Sequence, residues 1–159
     1  MYRVFVYGTL KRRQPNHYLM ENIQNGKATF VGEGITEHKY PLIVASRWNI
    51  PFLLNVQGKG ENIHGEVFDV DEQMLECLDE LECHPVIYRR EELKVLVKGE
   101  STLCNAYFLH SFKPELLSLP FMDMYDYDSQ PDGKKYVHSS ERHDFNREQF
   151  WVEIKQSIK

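Results

Sequence analysis

Two short stretches of the sequence carry residue types that could do chemistry, and the first is a glycine-containing loop. A β-rich run from Val4 to Tyr7 ends at Gly8 and is followed by Thr9 and Leu10. Valine and tyrosine favour strands, and glycine lets the backbone turn or approach a ligand closely. Successive backbone N–H groups in such a turn can converge on an anion such as a carboxylate. The same residues are also typical of a first strand and an ordinary tight turn.

The second stretch is the end of a predicted helix that carries Glu82. Glu82 lies seven residues after Leu75 and four after Leu78, so it shares the apolar face of that helix. Burial and the dipole of the helix C-terminus would both raise the pKa of its carboxyl group. A glutamate of this kind could act as a general base near neutral pH. Alternatively, the last helical turn frays and Glu82 meets water or an arginine such as Arg89 or Arg90.

Other reactive side chains fit known site patterns poorly. A Cys–His nucleophile needs converging side chains, whereas Cys83 and His84 are adjacent and would point apart. A thiol hydrolase that uses Cys83 stays open as an alternative. The cysteines and histidines lack the paired spacing of structural zinc sites. Four aspartates in one loop lack the spaced ligands of a calcium loop, so we expect no metal site (Asp123, Asp126, Asp128 and Asp132).

The elements that must position these residues indicate an α+β fold. Strands are predicted at residues 2–7, 28–38, 40–44, 52–56, 63–70, 86–97 and 103–108. Asp71 is a suitable N-cap for the helix that leads to Glu82, and Pro85 would end it. Short helical turns are predicted after Pro15 and at Pro114–Leu119. Many strands with few helices favour a small, mainly antiparallel β-barrel flanked by a few helices. The bond before Pro51 is expected to be trans, with a cis bond as the alternative.

Length and charge restrict the class of protein. The chain has 159 residues, which suits one substantial core. A net charge of −5 without a basic stripe argues against nucleic acid or an anionic membrane as the main partner. The apolar runs are too short to span a bilayer. Three cysteines without a CxxC pair predict a reducing compartment, so we expect a cytoplasmic protein.

In combination, the motifs resemble those of the gamma-glutamylamine cyclotransferases, within the gamma-glutamylcyclotransferase-like family. The resemblance is carried by residues 4–12 (Val-Phe-Val-Tyr-Gly-Thr-Leu-Lys-Arg), 14–17, 40–42, 49–51, 65–67 and 78–82. It is closer than the resemblance to the glutathione-directed enzymes that share the fold. It extends to about residue 112 and leaves the end of the chain open. We therefore predict a domain over residues 1–136 and a C-terminal tail over 137–159 that is helical from about residue 144.

The resemblance implies an activity and the residues that perform it. The expected reaction converts gamma-glutamyl-epsilon-lysine and related gamma-glutamylamines to 5-oxoproline and a free amine. Tyr7, Gly8, Thr9 and Leu10 would bind the glutamyl end, and Glu82 would be the catalytic glutamate. No metal or organic cofactor is implied, the partner would be a small molecule, and we expect a monomer. The alternatives are a cyclotransferase for other gamma-glutamyl compounds and a catalytically silent module that binds a small carboxylate.

The implied mechanism is an intramolecular attack of the α-amine on the γ-carbonyl, with Glu82 as general base. The resemblance does not identify the group that stabilises the developing oxyanion. A backbone N–H group, or a hydroxyl from Tyr88 or Tyr125, is a candidate.

Overall fold

The computed structural model describes residues 1–142 and 147–155, the latter with side chains from Phe150 onward. The strands are β1 (Tyr2–Val6), β2 (Ala28–Tyr40), β3 (Leu42–Ala45), β4 (Ile50–Leu53), β5 (Glu61–Val70), β6 (Tyr88–Val97) and β7 (Glu100–Leu109). The α-helices are α1 (Tyr18–Glu21), α2 (Glu72–Leu81) and α3 (Arg147–Ile154). Short 3-10 turns occupy Ile23–Asn25, Pro114–Ser118 and Ser139–Glu141.

Five strands close into a barrel in the order β1–β5–β2–β6–β7, and β3 and β4 form a separate hairpin. The neighbours pair antiparallel except β1 and β7, which run parallel where Val4 faces Asn105. The prediction of an α+β fold with a small, mainly antiparallel barrel is confirmed. The parallel pair that closes the barrel was not foreseen.

The hairpin differs from the prediction at its second strand. β4 begins at Ile50 rather than residue 52, because Pro51 is part of the strand and faces Val44. A proline is tolerated there because each strand of a two-stranded ribbon is an edge. The Ile50–Pro51 bond is trans, as expected, and the cis bond found in the described part of the chain is His84–Pro85.

Helix α2 is fixed at its start and along one face. The Asp71 side chain accepts a hydrogen bond from the backbone N–H of Met74 at 2.9 Å, which confirms the predicted N-cap. Met74, Leu75 and Leu78 are buried in the core between the barrel and this helix. Burial of each such side chain contributes about 1.5–3 kcal/mol. Glu82, directly after the helix, is therefore held at a defined place.

The end of the chain packs on the same core. Phe150 and Ile154 of α3 are buried in it, and the backbone N–H of Lys113 donates to the carbonyl of Ile154 at 2.8 Å. Residues 144–146 and 156–159 of the predicted terminal helix lie outside the described residues. The division of the chain at residue 136 stays a prediction.

None of the helices in the described ranges combines the length and the apolar character that crossing a membrane would need.

Candidate active site

A cavity of about 340 Å³ lies where the end of β1 meets the end of α2. The five site residues expected from the sequence all line it: Tyr7, Gly8, Thr9, Leu10 and Glu82. The structure therefore brings together two stretches that are more than seventy residues apart in sequence. Cys83 and Tyr88 also line the cavity, whereas Tyr125 does not.

The loop after β1 is shaped by contacts on the side of its carbonyl groups. Gly8 accepts a backbone hydrogen bond from Lys11 at 3.2 Å, and Thr9 accepts one from Asn16 at 2.8 Å. The Asn16 amide also donates to the Thr9 hydroxyl at 3.0 Å. A Cβ atom on Gly8 would lie 2.9 Å from Cγ of Pro51, so glycine is needed for this close approach.

The backbone N–H groups of the same loop are available to a ligand. Those of Gly8, Thr9 and Leu10 donate to no residue in the described part of the chain. Three successive amides without partners at the wall of a cavity form the kind of concave site that binds an anion. The loop is a tight turn, closed by the bond from Lys11 to Gly8, and anion binding by its amides stays a prediction.

Glu82 lies at the C-cap of α2. Its backbone N–H donates to the carbonyl of Leu78 at 2.9 Å, and its carbonyl accepts from Tyr88 at 3.3 Å. Cys83 then turns the chain with a φ of 52°. Because its backbone is hydrogen-bonded on both sides, the idea that the last helical turn frays is wrong.

The carboxyl group of Glu82 is poorly solvated and unpaired. Burial raises its pKa from the ordinary value of 4.5 to about 7, although the opening of the cavity leaves the residue partly exposed. No side chain in the described ranges donates a hydrogen bond or forms an ion pair to it. Beyond burial, its charge raises the pKa of three neighbouring phenols, those of Tyr7, Tyr88 and Tyr107.

Arg90, one of the two arginines named as alternative partners of Glu82, binds another carboxylate of α2. Arg90 contacts Asp79 through Nε at 2.8 Å and Nη2 at 3.0 Å, and the Tyr107 hydroxyl donates to Asp79 at 2.6 Å. Burial acts to raise the pKa of Asp79, but these bonds outweigh it and lower the pKa. The pKa values of the two carboxyl groups are thus shifted in opposite directions. Asp79 stays ionised, and Glu82 can exchange a proton near neutral pH.

The thiol alternative gains no support from the geometry. The ring of His84 accepts a hydrogen bond from the backbone N–H of Arg90 at 3.0 Å through Nδ1, and no hydrogen bond joins it to Cys83. Tyr125, a candidate oxyanion donor, is buried in the barrel core away from the cavity. In the described ranges, no group of three or more His, Cys, Asp or Glu side chains is arranged to hold a metal ion.

Several lining or supporting residues were missed by the sequence analysis. Pro51 and Tyr107 come from strands β4 and β7, and Asp79 supports Tyr107 from α2. Tyr136 and Arg142 come from beyond the stretch that carries the motifs. No spacing in the sequence marks these positions, because their neighbours in space are distant in the chain.

Comparison with known proteins assigns the chain and its fold to one family. The family described as "Gamma-glutamyl cyclotransferase, AIG2-like" matches residues 4–129. The gamma-glutamylaminecyclotransferase of Rattus norvegicus is 44% identical over 86% of this chain and 96% of the relative. That of Homo sapiens is 40% identical over 84% and 94%. The crystal structure of an AIG2-like protein from Mus musculus has a TM-score of 0.83 at 44% identity, covering 87% of this chain and 96% of that chain. The chain therefore belongs to the AIG2-like gamma-glutamyl cyclotransferase family.

Proposed function

We propose that this protein is a gamma-glutamylamine cyclotransferase. Its substrates would be gamma-glutamyl-epsilon-lysine and related gamma-glutamylamines, and its products 5-oxoproline and the free amine. The proposal rests on one cavity, which holds the Glu82 carboxyl group with a pKa of about 7 and the backbone amides of Gly8, Thr9 and Leu10. Neither the carboxyl group nor these amides have a hydrogen-bond partner among the described residues. The names of the relatives agree with this chemistry.

The loop is proposed to hold the glutamyl end of the substrate. The amides of Gly8, Thr9 and Leu10 would bind its α-carboxylate and so fix the position of the α-amine. The reaction closes a five-membered ring within one molecule, so orientation is the main source of rate. Well-oriented intramolecular reactions reach effective molarities of about 10⁵–10⁸ M.

Glu82 is proposed to move the protons. An ammonium group has no lone pair, so the carboxylate first takes a proton from the α-nitrogen. The new bond joins this nitrogen to the γ-carbon, and the bond from the γ-carbon to the leaving nitrogen breaks. The α-nitrogen loses two protons as the ammonium becomes a lactam, and the leaving nitrogen gains two as the amide becomes an ammonium. Glu82 can carry them from one nitrogen to the other, and no water is consumed.

Tyr88 is the proposed donor to the oxyanion. It lines the cavity, and its hydroxyl makes no hydrogen bond in the described part of the chain. Burial, with smaller contributions from Tyr7 and Glu82, raises its pKa well above the usual range, so it keeps its proton. A protonated phenol in a poorly solvated cavity can stabilise the charge that develops on the γ-carbonyl oxygen.

Activity should depend on pH through Glu82. Because burial raises the pKa of its carboxyl group to about 7, the base is protonated below that pH and ionised above it. We expect kcat/KM to rise with pH and to level off above about pH 8. Initial rates with gamma-glutamyl-epsilon-lysine across the range from pH 5 to about pH 9 measure this. A profile that is flat between pH 5 and 8 would contradict the assignment.

Product analysis tests the proposed reaction. The purified protein is incubated separately with gamma-glutamyl-epsilon-lysine and with glutathione, and 5-oxoproline, glutamate and lysine are quantified by mass spectrometry. We expect 5-oxoproline and lysine in equal amounts. Glutamate in place of 5-oxoproline would indicate a hydrolase. Turnover of glutathione alone would indicate the related cyclotransferase, and no product from either compound would indicate a silent carboxylate-binding module.

Cys83→Ala should leave turnover close to that of the wild type. The thiol lines the cavity but makes no hydrogen bond to a base in the described part of the chain. Both residues carry a Cβ atom, so the left-handed backbone at this position is equally strained in the variant. The product assay above measures the effect. A folded Cys83→Ala protein without activity would support the thiol hydrolase instead.

We also propose a cytosolic location. Cys77, Cys83 and Cys104 are all free of disulfide bonds, which is the state that a reducing compartment maintains.

A further inference from the structure

One wall of the cavity comes from a segment outside the residues that match the family. The matched residues end at 129, whereas Tyr136, Ser139 and Arg142 line the cavity. We call residues 136–142 the 136–142 segment. The proposed reaction gives these side chains no role, and they lie where the part of the substrate that does not react could contact them.

The 136–142 segment is tied down at both sides of the cavity. On one side the side-chain amide of Asn16 donates to the Tyr136 hydroxyl at 2.9 Å. The same side-chain amide donates to the hydroxyl of Thr9, in the loop of residues 8–10 that we call the amide loop. On the other side the backbone N–H of Val137 donates to the carbonyl of Trp48 at 2.9 Å, just before β4. The segment is therefore fixed relative to the loop that is proposed to bind the glutamyl end.

Among the described residues, Arg142 is held in place without an acidic partner. Its Nε donates to the carbonyl of Val137 at 2.9 Å, and its guanidinium carbon lies 5.3 Å from the centre of the Tyr136 ring. It forms no ion pair in the described part of the chain. Four other arginines do pair with carboxylates there: Arg3, Arg12, Arg47 and Arg90. The outer nitrogens of Arg142 are thus available to a ligand.

Few charged side chains line the cavity. Among its described lining residues, Glu82 carries the one carboxylate and Arg142 the one cationic side chain. Both charges act on the phenol of Tyr88. Burial is the main reason that its pKa is raised, Glu82 adds to the rise, and Arg142 opposes it. An anion at Arg142 would therefore sit in the same cavity as the reacting bond.

We propose that Arg142 binds a carboxylate on the leaving amine and makes the site selective for gamma-glutamyl-epsilon-lysine. This inference rests on the proposed function. That substrate carries two carboxylates, one on the glutamyl end and one on the lysine. The amides of Gly8, Thr9 and Leu10 account for the first, and a planar guanidinium with free N–H groups suits the second. Simple gamma-glutamylalkylamines lack the second carboxylate and would not use Arg142.

Two substrates distinguish binding of the lysine carboxylate by Arg142 from a contribution of Arg142 to the turnover of every substrate. Gamma-glutamyl-n-pentylamine has the carbon chain of the lysine compound without its carboxylate and α-amine. Arg142→Gln should lower kcat/KM for the lysine compound by about tenfold to a hundredfold, mainly through KM, because it loses charge-assisted hydrogen bonds. The pentylamine compound should be unaffected. Arg142→Lys should recover part of the loss, since it keeps the charge but not the planar fork.

The matched control is Lys134→Gln. Lys134 is exposed and does not line the cavity, so this variant makes the same charge change close by in the chain. It should turn over both substrates like the wild type. An equal fall for both substrates in Arg142→Gln would overturn the proposal, because Arg142 would then serve the glutamyl end or the fold. No fall for either substrate would also overturn it.

Binding of a leaving-group analogue tests the role of Arg142 independently of turnover. Nε-acetyl-lysine carries the lysine carboxylate, and N-pentylacetamide lacks it. By NMR titration, wild-type protein should bind the first more tightly than the second, and Arg142→Gln should remove that difference. Equal binding of the two by the wild type would overturn the inference, whatever the turnover. If Nε-acetyl-lysine binds through Arg142 but no 5-oxoproline is formed from either substrate, the proposed function fails and the role of Arg142 stands.

Discussion

Glu82→Gln is expected to lower kcat for gamma-glutamyl-epsilon-lysine by roughly 10²–10⁴-fold, the usual effect of losing a general base. Glutamine has nearly the same shape as glutamate but cannot accept the proton of the α-ammonium. The Glu82 carboxyl group has no hydrogen-bonded partner in the described part of the chain, so its replacement by the glutamine amide deprives no neighbouring group there of a hydrogen bond. Steady-state kinetics at pH 8, where the wild-type base is ionised, measure the effect. Full turnover by a folded variant would contradict the assignment of Glu82.

Stability measurements show whether the variant fails in chemistry or in folding. Burial raises the pKa of Glu82 from 4.5 to about 7 in the folded protein, so the native state binds its proton more tightly than the unfolded state. The stability that this proton gives is present below pH 4.5 and is lost as the pH rises through about 7. The loss is at most about 3 kcal/mol, because the cavity is partly open to water.

Glutamine does not titrate and escapes this loss. In urea unfolding, Glu82→Gln should therefore gain stability relative to the wild type between pH 4.5 and pH 8. Groups such as Asp79 titrate in both proteins, so their effect cancels in the comparison. A variant that is inactive and also loses stability relative to the wild type over this range would show that the carboxylate has a structural role instead.

Gly8→Ala should lower kcat/KM by about a hundredfold, since a misplacement of about 1 Å at a reacting centre can cost that much. The new Cβ atom would lie 2.9 Å from Cγ of Pro51, closer than such atoms approach one another. Gly8 is not among the residues with a left-handed φ, so its backbone suits alanine and the clash is the obstacle. The loop or Pro51 must then shift, and a shift of the loop displaces the amides that are proposed to hold the substrate.

A second substitution tests whether the clash is the cause. Pro51→Ala removes Cγ and leaves Cβ, which would lie 3.4 Å from the new Cβ atom of residue 8, an ordinary contact distance. The double variant with Gly8→Ala should recover much of the activity lost by the single variant. If it recovers none, the loss does not come from this contact. If Gly8→Ala alone turns over like the wild type, the loop geometry is not critical for the reaction.

Local patterns in the sequence predicted the elements that hold the site. The alternation in β5 and the apolar run in β1 marked their strands. Asp71 and the spacing of Met74, Leu75 and Leu78 located α2. These signals are local because hydrogen bonds within a helix or strand, and the face that it buries, depend on neighbouring residues. For the same reason the spacing placed Glu82 on the inner face, although the chain leaves the helix at that residue.

The features that were missed depend on residues far apart in the chain. The parallel pairing of β1 with β7 joins Val4 to Asn105. Tyr107 reaches Asp79 across 28 positions, and Tyr136 reaches Asn16 across 120. The spacing of apolar residues along the sequence does not indicate such contacts. The 136–142 segment in particular is a polar stretch whose sequence gives no sign that Arg142 lines a cavity.

A crystal structure with 5-oxoproline tests most directly whether Glu82 and the amide loop are two halves of one site. We expect the carboxylate of 5-oxoproline about 3 Å from at least two of the N–H groups of Gly8, Thr9 and Leu10, and its lactam nitrogen within hydrogen-bonding distance of the Glu82 carboxyl group. Binding of 5-oxoproline with its carboxylate away from the loop, or with its ring nitrogen remote from Glu82, would contradict this expectation.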